Sequence, residues 1–438
     1  MHGFRNEFGM TQKFFLFYTR QFTPLLITQF LGAFNDNLFK NVFLVSVIFG
    51  TGVELKLLEP KIFITLAAGL FIFPYVLCSS LAGQLADKLE KSKLVLRIKL
   101  AELVLMLLAV LGFYLSNAWI LLTVLVGMGA QSAFFSPLKY SLVPDHLPEE
   151  KVLSGNALLE ASTFLSILTG TITGGLLAGV ENGIWIASTL LIILAGVGIL
   201  SAWFIPPAGP YAAHTRLNWN IMAETGAMLR SSFADPVLGR AILGISWFWL
   251  LGSVFLSQFP AYGKDYLGGD ESVVTVLLTA FSLGIGIGSF LADHLLKGAI
   301  STRFSTISLI VMTVFIGDVY FATPLEPLGA SINAAEFFNH WQHWRIVIDL
   351  TFVAIAGGVF IVPLMALLQT QAGQTGRGRV IATNNIVNAF FMFAASGLAA
   401  VGLASGLPIP LILLVAGIGN LFVILLVRKM QKAKQNLA

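Results

Sequence analysis

Apolar runs long enough to cross a bilayer recur along the whole of this chain, separated by short polar loops. A segment buried in lipid meets no water, so its backbone must close its own hydrogen bonds, and each run is therefore expected to be a helix. Twelve spans are expected, at roughly 23–50, 61–84, 94–116, 118–138, 152–179, 183–205, 238–262, 273–296, 303–322, 345–369, 380–404 and 408–428. Composition agrees with this: the 438 residues are 56% hydrophobic and 11% charged, whereas roughly a quarter of a soluble domain is charged. The expected class is an all-α membrane protein, with twelve transmembrane helices in two six-helix halves.

The division into halves comes from the longest polar gap, Pro206 to Pro236, which carries Pro206, Pro207 and Pro210. It reads as a linker, giving an N-terminal bundle 1–205, a linker 206–237 and a C-terminal bundle 238–438. Orientation follows from the basic residues. Of 26 Lys and Arg, twenty fall at the termini and in the loops after even-numbered spans, and four (Lys56, Lys61, Lys264 and Arg345) fall on the opposite side. Lys40 and Lys99 lie within spans. The excess places both termini and the linker in the cytoplasm.

Several functions are disfavoured. The net charge of +4 does not mark a nucleic-acid binder, because the basic residues are spread over loops. Cys78 is the sole cysteine, which leaves no intramolecular disulfide and no thiolate cluster. The histidines show no metal-ligand spacing, and no nucleophile or Walker motif occurs, so neither an enzyme nor a bound cofactor or metal is expected. The first apolar run is too long for a cleavable signal and lacks a cleavage site, so it is expected to remain as the first span.

Against this apolar background, the run Gln29–Asn41 stands out. It places Asp36, Lys40 and the amides of Gln29, Asn35, Asn37 and Asn41 inside the first span. A charge at mid-bilayer depth costs roughly 2.5–3.5 kcal/mol on insertion scales, so such groups face protein or an aqueous cavity. Asp36 and Lys40 are four apart and share a helix face, with Gln29 on the same side. Two readings stand: a buried ion pair that holds helices together, or a site that handles a polar cargo. Lys99 and Glu102, three apart in the third span, are expected to pair near its cytoplasmic end, and Asp318 and Asp349 to reach water. Glycines 170, 174 and 175, with 284, 286 and 288, are expected to permit helix packing.

The two halves echo each other. Gly83-Gln84-Leu85-Ala86-Asp87-Lys88 follows the second span, and Ser289-Phe290-Leu291-Ala292-Asp293-His294 follows the eighth. Phe134-Phe135-Ser136-Pro137-Leu138 is matched by Phe360-Ile361-Val362-Pro363-Leu364, and Asn156 with Glu160 by Asn384 with Asn388. Repeats in the same order at corresponding spans predict two halves related by an axis along the membrane normal, with a site between them near the midplane.

Gly83-x-x-x-Asp87-Lys88, followed by Lys91 and Lys93, resembles the loop signature of the major facilitator superfamily. The resemblance implies a conformational latch at Gly83, Asp87, Lys88 and Lys91, with a weaker copy at Asp293. Within that superfamily, Gln29–Asn41, Ser136-Pro137-Leu138-Lys139-Tyr140, Gly155-Asn156 and Ala157–Thr163 look like the bacterial lysophospholipid transporters, above all those fused to an acyltransferase. The fold resemblance covers nearly the whole chain, and the subfamily resemblance is concentrated in its first half. It implies transport of lysophospholipids, such as lysophosphatidylethanolamine, to the inner leaflet of the bacterial inner membrane, with Asp36, Asn37 and Glu160 as core polar residues. Two departures stand out. No basic residue lies between Arg240 and Lys264 in the seventh span, so Lys40 is expected to supply that cation. No acyltransferase signature occurs, so reacylation would need a separate protein.

The candidate substrate site is therefore Gln29, Asp36, Asn37, Lys40, Asn156, Glu160 and Asn388, in a monomer. The alternatives are a proton-coupled exporter of a small amphipathic solute, such as a siderophore or drug, and a non-transporting scaffold.

Overall fold

The structure is a computed structural model that describes residues 19–48, 60–324 and 332–436. These residues are helical apart from turns, loops and one isolated bridge between Gly269 and Ile332. We label the helices α1 (Thr23–Ile48), α2 (Pro60–Lys88), α3 (Lys91–Tyr114), α4 (Ala118–His146), α5 (Glu149–Ala178), α6 (Gly183–Trp203) and α7 (Ile221–Ala234). They continue as α8 (Pro236–Ala261), α9 (Glu271–Leu296), α10 (Ser305–Ala322), α11 (Ala334–Phe337), α12 (Trp341–Gln371), α13 (Gly373–Ala404), α14 (Ile409–Ile418) and α15 (Asn420–Gln435). Ten helical segments among the described residues are long and apolar enough to cross a membrane, α14 and α15 counting as one. The two other long helices are α1 with 26 residues, which carries Asp36 and Lys40, and α3 with 24, which carries Lys99 and Glu102.

The chain divides into two compact units. Unit 1 comprises 1–229 with 372–385, and unit 2 comprises 230–371 with 386–438. In unit 1, α2 packs on α4, α3 on α4 and α6, and α1 on α5 and α6. In unit 2, α9 packs on α12, α10 on α12 and α15, and α8 on α15. Four of the five unit-1 pairings recur between corresponding helices of unit 2, as the sequence echoes predict. Glycine serves the tight contacts in both units. Gly129 of α4 lies against the Phe71 carbonyl of α2, and Gly358 of α12 lies against the Ile285 carbonyl of α9. With little hydrophobic drive between helices in lipid, such backbone approach supplies the packing.

The helices differ from their expected extents in two places that matter. The fourth span, expected to end at 138, runs on to His146 through Pro137 and Pro144. The eleventh, expected from 380, begins at Gly373, whose φ of +65° makes the turn out of α12. Its first residues, Gly373 to Arg379, carry no apolar periodicity, and contacts within unit 1 hold that turn in place. In the segment expected as a linker, Ile221–Ala234 is helical. Trp341 and Trp344 occupy the first turn of α12.

Candidate functional site: a polar face on α1, α4 and α5

The faces of α1 are sorted by its neighbours. Leu38, Phe39, Val42 and Phe43 are buried in an apolar cluster with Met106 and Phe113 of α3, Leu121 and Leu125 of α4, and Leu191 of α6. A second face receives α5. A Cβ at Gly170 would stand 2.6 Å from the Phe34 carbonyl, and one at Gly174 would stand 2.9 Å from that of Leu38. The expected packing role of these two glycines holds, while Gly175 faces open space. Gly284 of α9 likewise meets the Thr351 carbonyl of α12 at 2.9 Å.

The polar residues of α1 fall into two groups. Asn35 faces α3, where its Nδ2 donates to Glu102 Oε1 at 3.3 Å. Lys99 Nζ pairs with Glu102 Oε2 at 2.6 Å, with both side chains buried, and Gln131 Nε2 of α4 donates to the same oxygen at 2.9 Å. The expected Lys99–Glu102 pair therefore forms. It belongs to the core of the bundle, not to a helix end, because Lys99 packs against Gly32 in α1.

The second group is built differently. Asp36 Oδ2 accepts from Ser132 Oγ of α4 at 2.7 Å, while its Oδ1 is buried and accepts no hydrogen bond from the protein. Lys40 does not pair with Asp36. Its ammonium donates to Asn37 Oδ1 at 3.0 Å and lies 5.7 Å from the centre of the Phe71 ring. Glu160 of α5 is buried, and its Oε1 accepts from Tyr140 OH of α4 at 2.8 Å. Its Oε2, like Asp36 Oδ1, is buried without a donor.

Lys139, expected in a loop, lies instead inside α4 at 9% exposure, with its ammonium 4.6 Å from the Tyr140 ring centre. It forms no ion pair among the described residues, yet stands within electrostatic reach of both Glu160 and Asp36. This face thus presents two half-satisfied carboxylates and two ammonium groups without a carboxylate partner.

The remaining candidates are placed as follows. Gln29 Nε2 donates to Thr163 Oγ1 of α5 at 2.8 Å, tying α1 to α5 one turn below Glu160. Asn37 Nδ2 also donates to the Ala33 carbonyl, and Asn156 Nδ2 to that of Val152, each within its own helix. Asn388 lies in unit 2, where its Oδ1 accepts from Ser246 Oγ at 2.7 Å. The sequence reading did not place Ser132, Gln131, Lys139 or Tyr140 at the site. The Ser136–Tyr140 motif was the signal that touched the last two, as the Gln29–Asn41 run had touched Asn35.

At the far end of α2, Gly83 lies against α13, where a Cβ would stand 2.6 Å from that of Ala382 and 2.9 Å from the Gly378 carbonyl. Asp87 is buried, and its carboxylate accepts from the backbone N–H of Gly378 at 2.7 Å and of Arg379 at 3.2 Å. Lys91 pairs with Asp145 at 2.6 Å, and Arg377 meets the same carboxylate at 2.7 Å. Lys88 makes no hydrogen bond or ion pair among the described residues. Asp293 is buried at the corresponding end of α9 in unit 2. On the opposite side, Arg345 pairs with Asp318, and Asp349, expected to reach water, is buried at 3% exposure.

Ten apolar spans, a helix-pairing scheme repeated in both units and a charged face buried in one of them define a polytopic membrane protein of the two-bundle transporter type. The chain belongs to the Major Facilitator Superfamily, whose family model matches residues 25–396. It is similar to the Lysophospholipid transporter LplT of Photorhabdus laumondii, at 27% identity over 401 residues that cover 89% of this chain and 90% of the relative. The protein of that name from Yersinia enterocolitica is also 27% identical, with 89% of each chain covered. Among solved structures, a bacterial homologue of the iron transporter ferroportin in an outward-facing state superimposes with a TM-score of 0.71 at 16% identity, covering 94% of this chain and 99% of that one. The Escherichia coli fucose:proton symporter FucP gives 0.68 at 14% identity, covering 93% and 98%. At such identities these two structures establish the fold.

Proposed function

We propose that this chain carries lysophospholipids across the bacterial inner membrane to the cytoplasmic leaflet by alternating access, with both termini in the cytoplasm. The observation that carries the reading is the polar face of α1, α4 and α5, where carboxylates and ammonium groups each keep unused bonding capacity. A zwitterionic phosphate headgroup has matching needs. Its phosphate takes Lys40 and Lys139 as point charges, and its ammonium takes the free oxygens of Asp36 and Glu160. Lys40, with Lys139 beside it on the same face, supplies the cation that the seventh span lacks. Similarity to relatives named lysophospholipid transporters, over nearly nine-tenths of each chain, supports the same cargo.

The Asp87 carboxylate on the second turn of α13, with Gly83 allowing the approach, acts in this reading as the latch of one transport state, and Lys91 through Asp145 reinforces it. The polar segment 206–237 serves as the linker between the bundles. The transporter works as a monomer, and a separate acyltransferase on the cytoplasmic side consumes the product.

The test is uptake of headgroup-labelled lysophosphatidylethanolamine by proteoliposomes of the purified chain. Asp36→Ala, Lys40→Ala and Glu160→Ala are each expected to abolish uptake while eluting as folded protein on size exclusion. Uptake at the wild-type rate in all three overturns the site. A wild type that moves no lipid, but moves a soluble amphipath with protons, selects the exporter.

A further inference from the structure

Lys88 has the signature position of the latch but no partner there, and the space beside it suggests its use. The end of α2, the polar segment after α6 and the first two turns of α13 line a small open cleft, with a cavity volume of about 30 Å³. Lys88, Arg216 and Arg379 line it, together with the hydroxyl-bearing Thr215 and Thr375 and a single carboxylate, Asp87. Both Asp87 oxygens are already taken by backbone N–H groups of α13. Arg379 shares its guanidinium with Glu224 at 3.3 Å. Neither Lys88 nor Arg216 makes a hydrogen bond or ion pair among the described residues, so positive charge in the cleft exceeds what the protein neutralises.

Hydrogen bonds join the polar segment after α6 to the end of α2. Gln84 and Asn218 exchange two hydrogen bonds, with Asn218 N–H donating at 2.7 Å and Gln84 Nε2 donating back to the Asn218 carbonyl at 3.2 Å. The Ala212 N–H donates to the Asp87 carbonyl at 3.0 Å. Two guanidinium forks, an ammonium and two hydroxyls suit the tetrahedral oxygens of a phosphate.

We propose that this cleft binds one phosphate group, from a soluble phosphate or from an anionic lipid headgroup, and that the bound anion joins the start of α13 to α2 and the adjoining segment. A ligand held by Thr375 and Arg379 on one wall and by Lys88 and Arg216 on the others binds only while those walls are together. It therefore shifts the population toward the latched arrangement. The site is separate from the polar face of α1, and its occupancy does not depend on which cargo that face carries.

The experiment is thermal unfolding of the full chain in an uncharged detergent at constant ionic strength. It is titrated with inorganic phosphate in one arm and with short-chain phosphatidylglycerol in the other, and phosphorus NMR linewidths give a direct readout of binding. A saturable rise in the unfolding midpoint is expected. Its apparent affinity should fall roughly tenfold or more in Arg216→Gln, from the loss of one charge-assisted contact, and fall less in Thr375→Val. Lys93→Gln, a loss of one nearby exposed charge outside the cleft, should leave the affinity unchanged. A response to phosphate alone identifies a soluble source, and a response to the lipid alone identifies a headgroup. No saturable response to either, or an equal response in Arg216→Gln and wild type, overturns the proposal.

Discussion

Two groups of buried charge in unit 1 share α1 and α4 yet are built on opposite plans. Around Glu102 both carboxylate oxygens are engaged. Oε2 takes Lys99 and Gln131, and Oε1 takes Asn35, at 2.6 to 3.3 Å. Around Asp36 and Glu160 bonding capacity is held open, with one oxygen of each on a hydroxyl and the other buried without a donor. Lys40 and Lys139 likewise rest on an amide oxygen and an aromatic face, not on a carboxylate. Burying a charge is expensive wherever it happens. A saturated cluster recovers that expense within the protein and resists change. An open cluster leaves part of it uncompensated, which a ligand of complementary charge can supply.

The comparison can be broken most directly at Lys99. Lys99→Met leaves Glu102 charged and buried, and is expected to lower unfolding stability by about 3–5 kcal/mol, the usual result of removing one partner of a buried pair. Chemical unfolding in detergent measures this. Asp36→Asn should behave in the opposite way. It removes a charge that lacks a full set of partners, and its amide oxygen can still accept from Ser132. Stability should therefore stay within about 1 kcal/mol of wild type or rise, while lysophospholipid uptake is lost. Equal destabilisation by the two substitutions would erase the distinction between the clusters.

The smallest effect concerns a carboxylate outside the spans. Glu90 caps α3, accepting from the N–H groups of Ser92 and Lys93, and it also holds the Ala208 N–H at 3.0 Å. Burial pushes its pKa upward, but these N–H donors and the Ser92 hydroxyl outweigh it, so the group sits below the usual value of 4.5. A lowered carboxylate contributes stability that is complete above 4.5 and is lost as pH falls through the lowered value. The exchange protection of the Ala208 N–H, taken relative to the intrinsic rate at each pH, should therefore fall on acidification in the wild type, whereas Glu90→Gln should show the lower protection already at neutral pH. An acid response that persists in Glu90→Gln would assign it to another group.

Much of this was legible in the chain, and what was not has a common cause. The spans followed from apolar length alone, and the i, i+3 spacing of Lys99 and Glu102 was enough to pair them. The extensions of α4 to His146 and of α13 back to Gly373 were not legible, because those turns are polar and rich in Pro or Gly. They are helical because Asp145 and Asp87 are bound there by Lys91, Arg377 and the N–H groups of α13. Asn35 and Asp36 are neighbours in sequence but stand about a quarter turn apart on the helix. One joins the saturated cluster and the other the open face, and nothing in the run Gln29–Asn41 says which does which.

The sequence by itself determined that this protein spans a membrane many times, that its halves repeat, and that its first span carries charge too costly to be idle. Those properties depend on the solvent and on spacing along one helix. The tertiary structure alone decided which charges are satisfied, because the donors Ser132, Tyr140, Gln131 and Lys99 arrive from other helices. It also made Lys139 part of the open face and set Asp36 and Lys40 apart, since a buried group bonds to whatever the packed neighbours bring within reach.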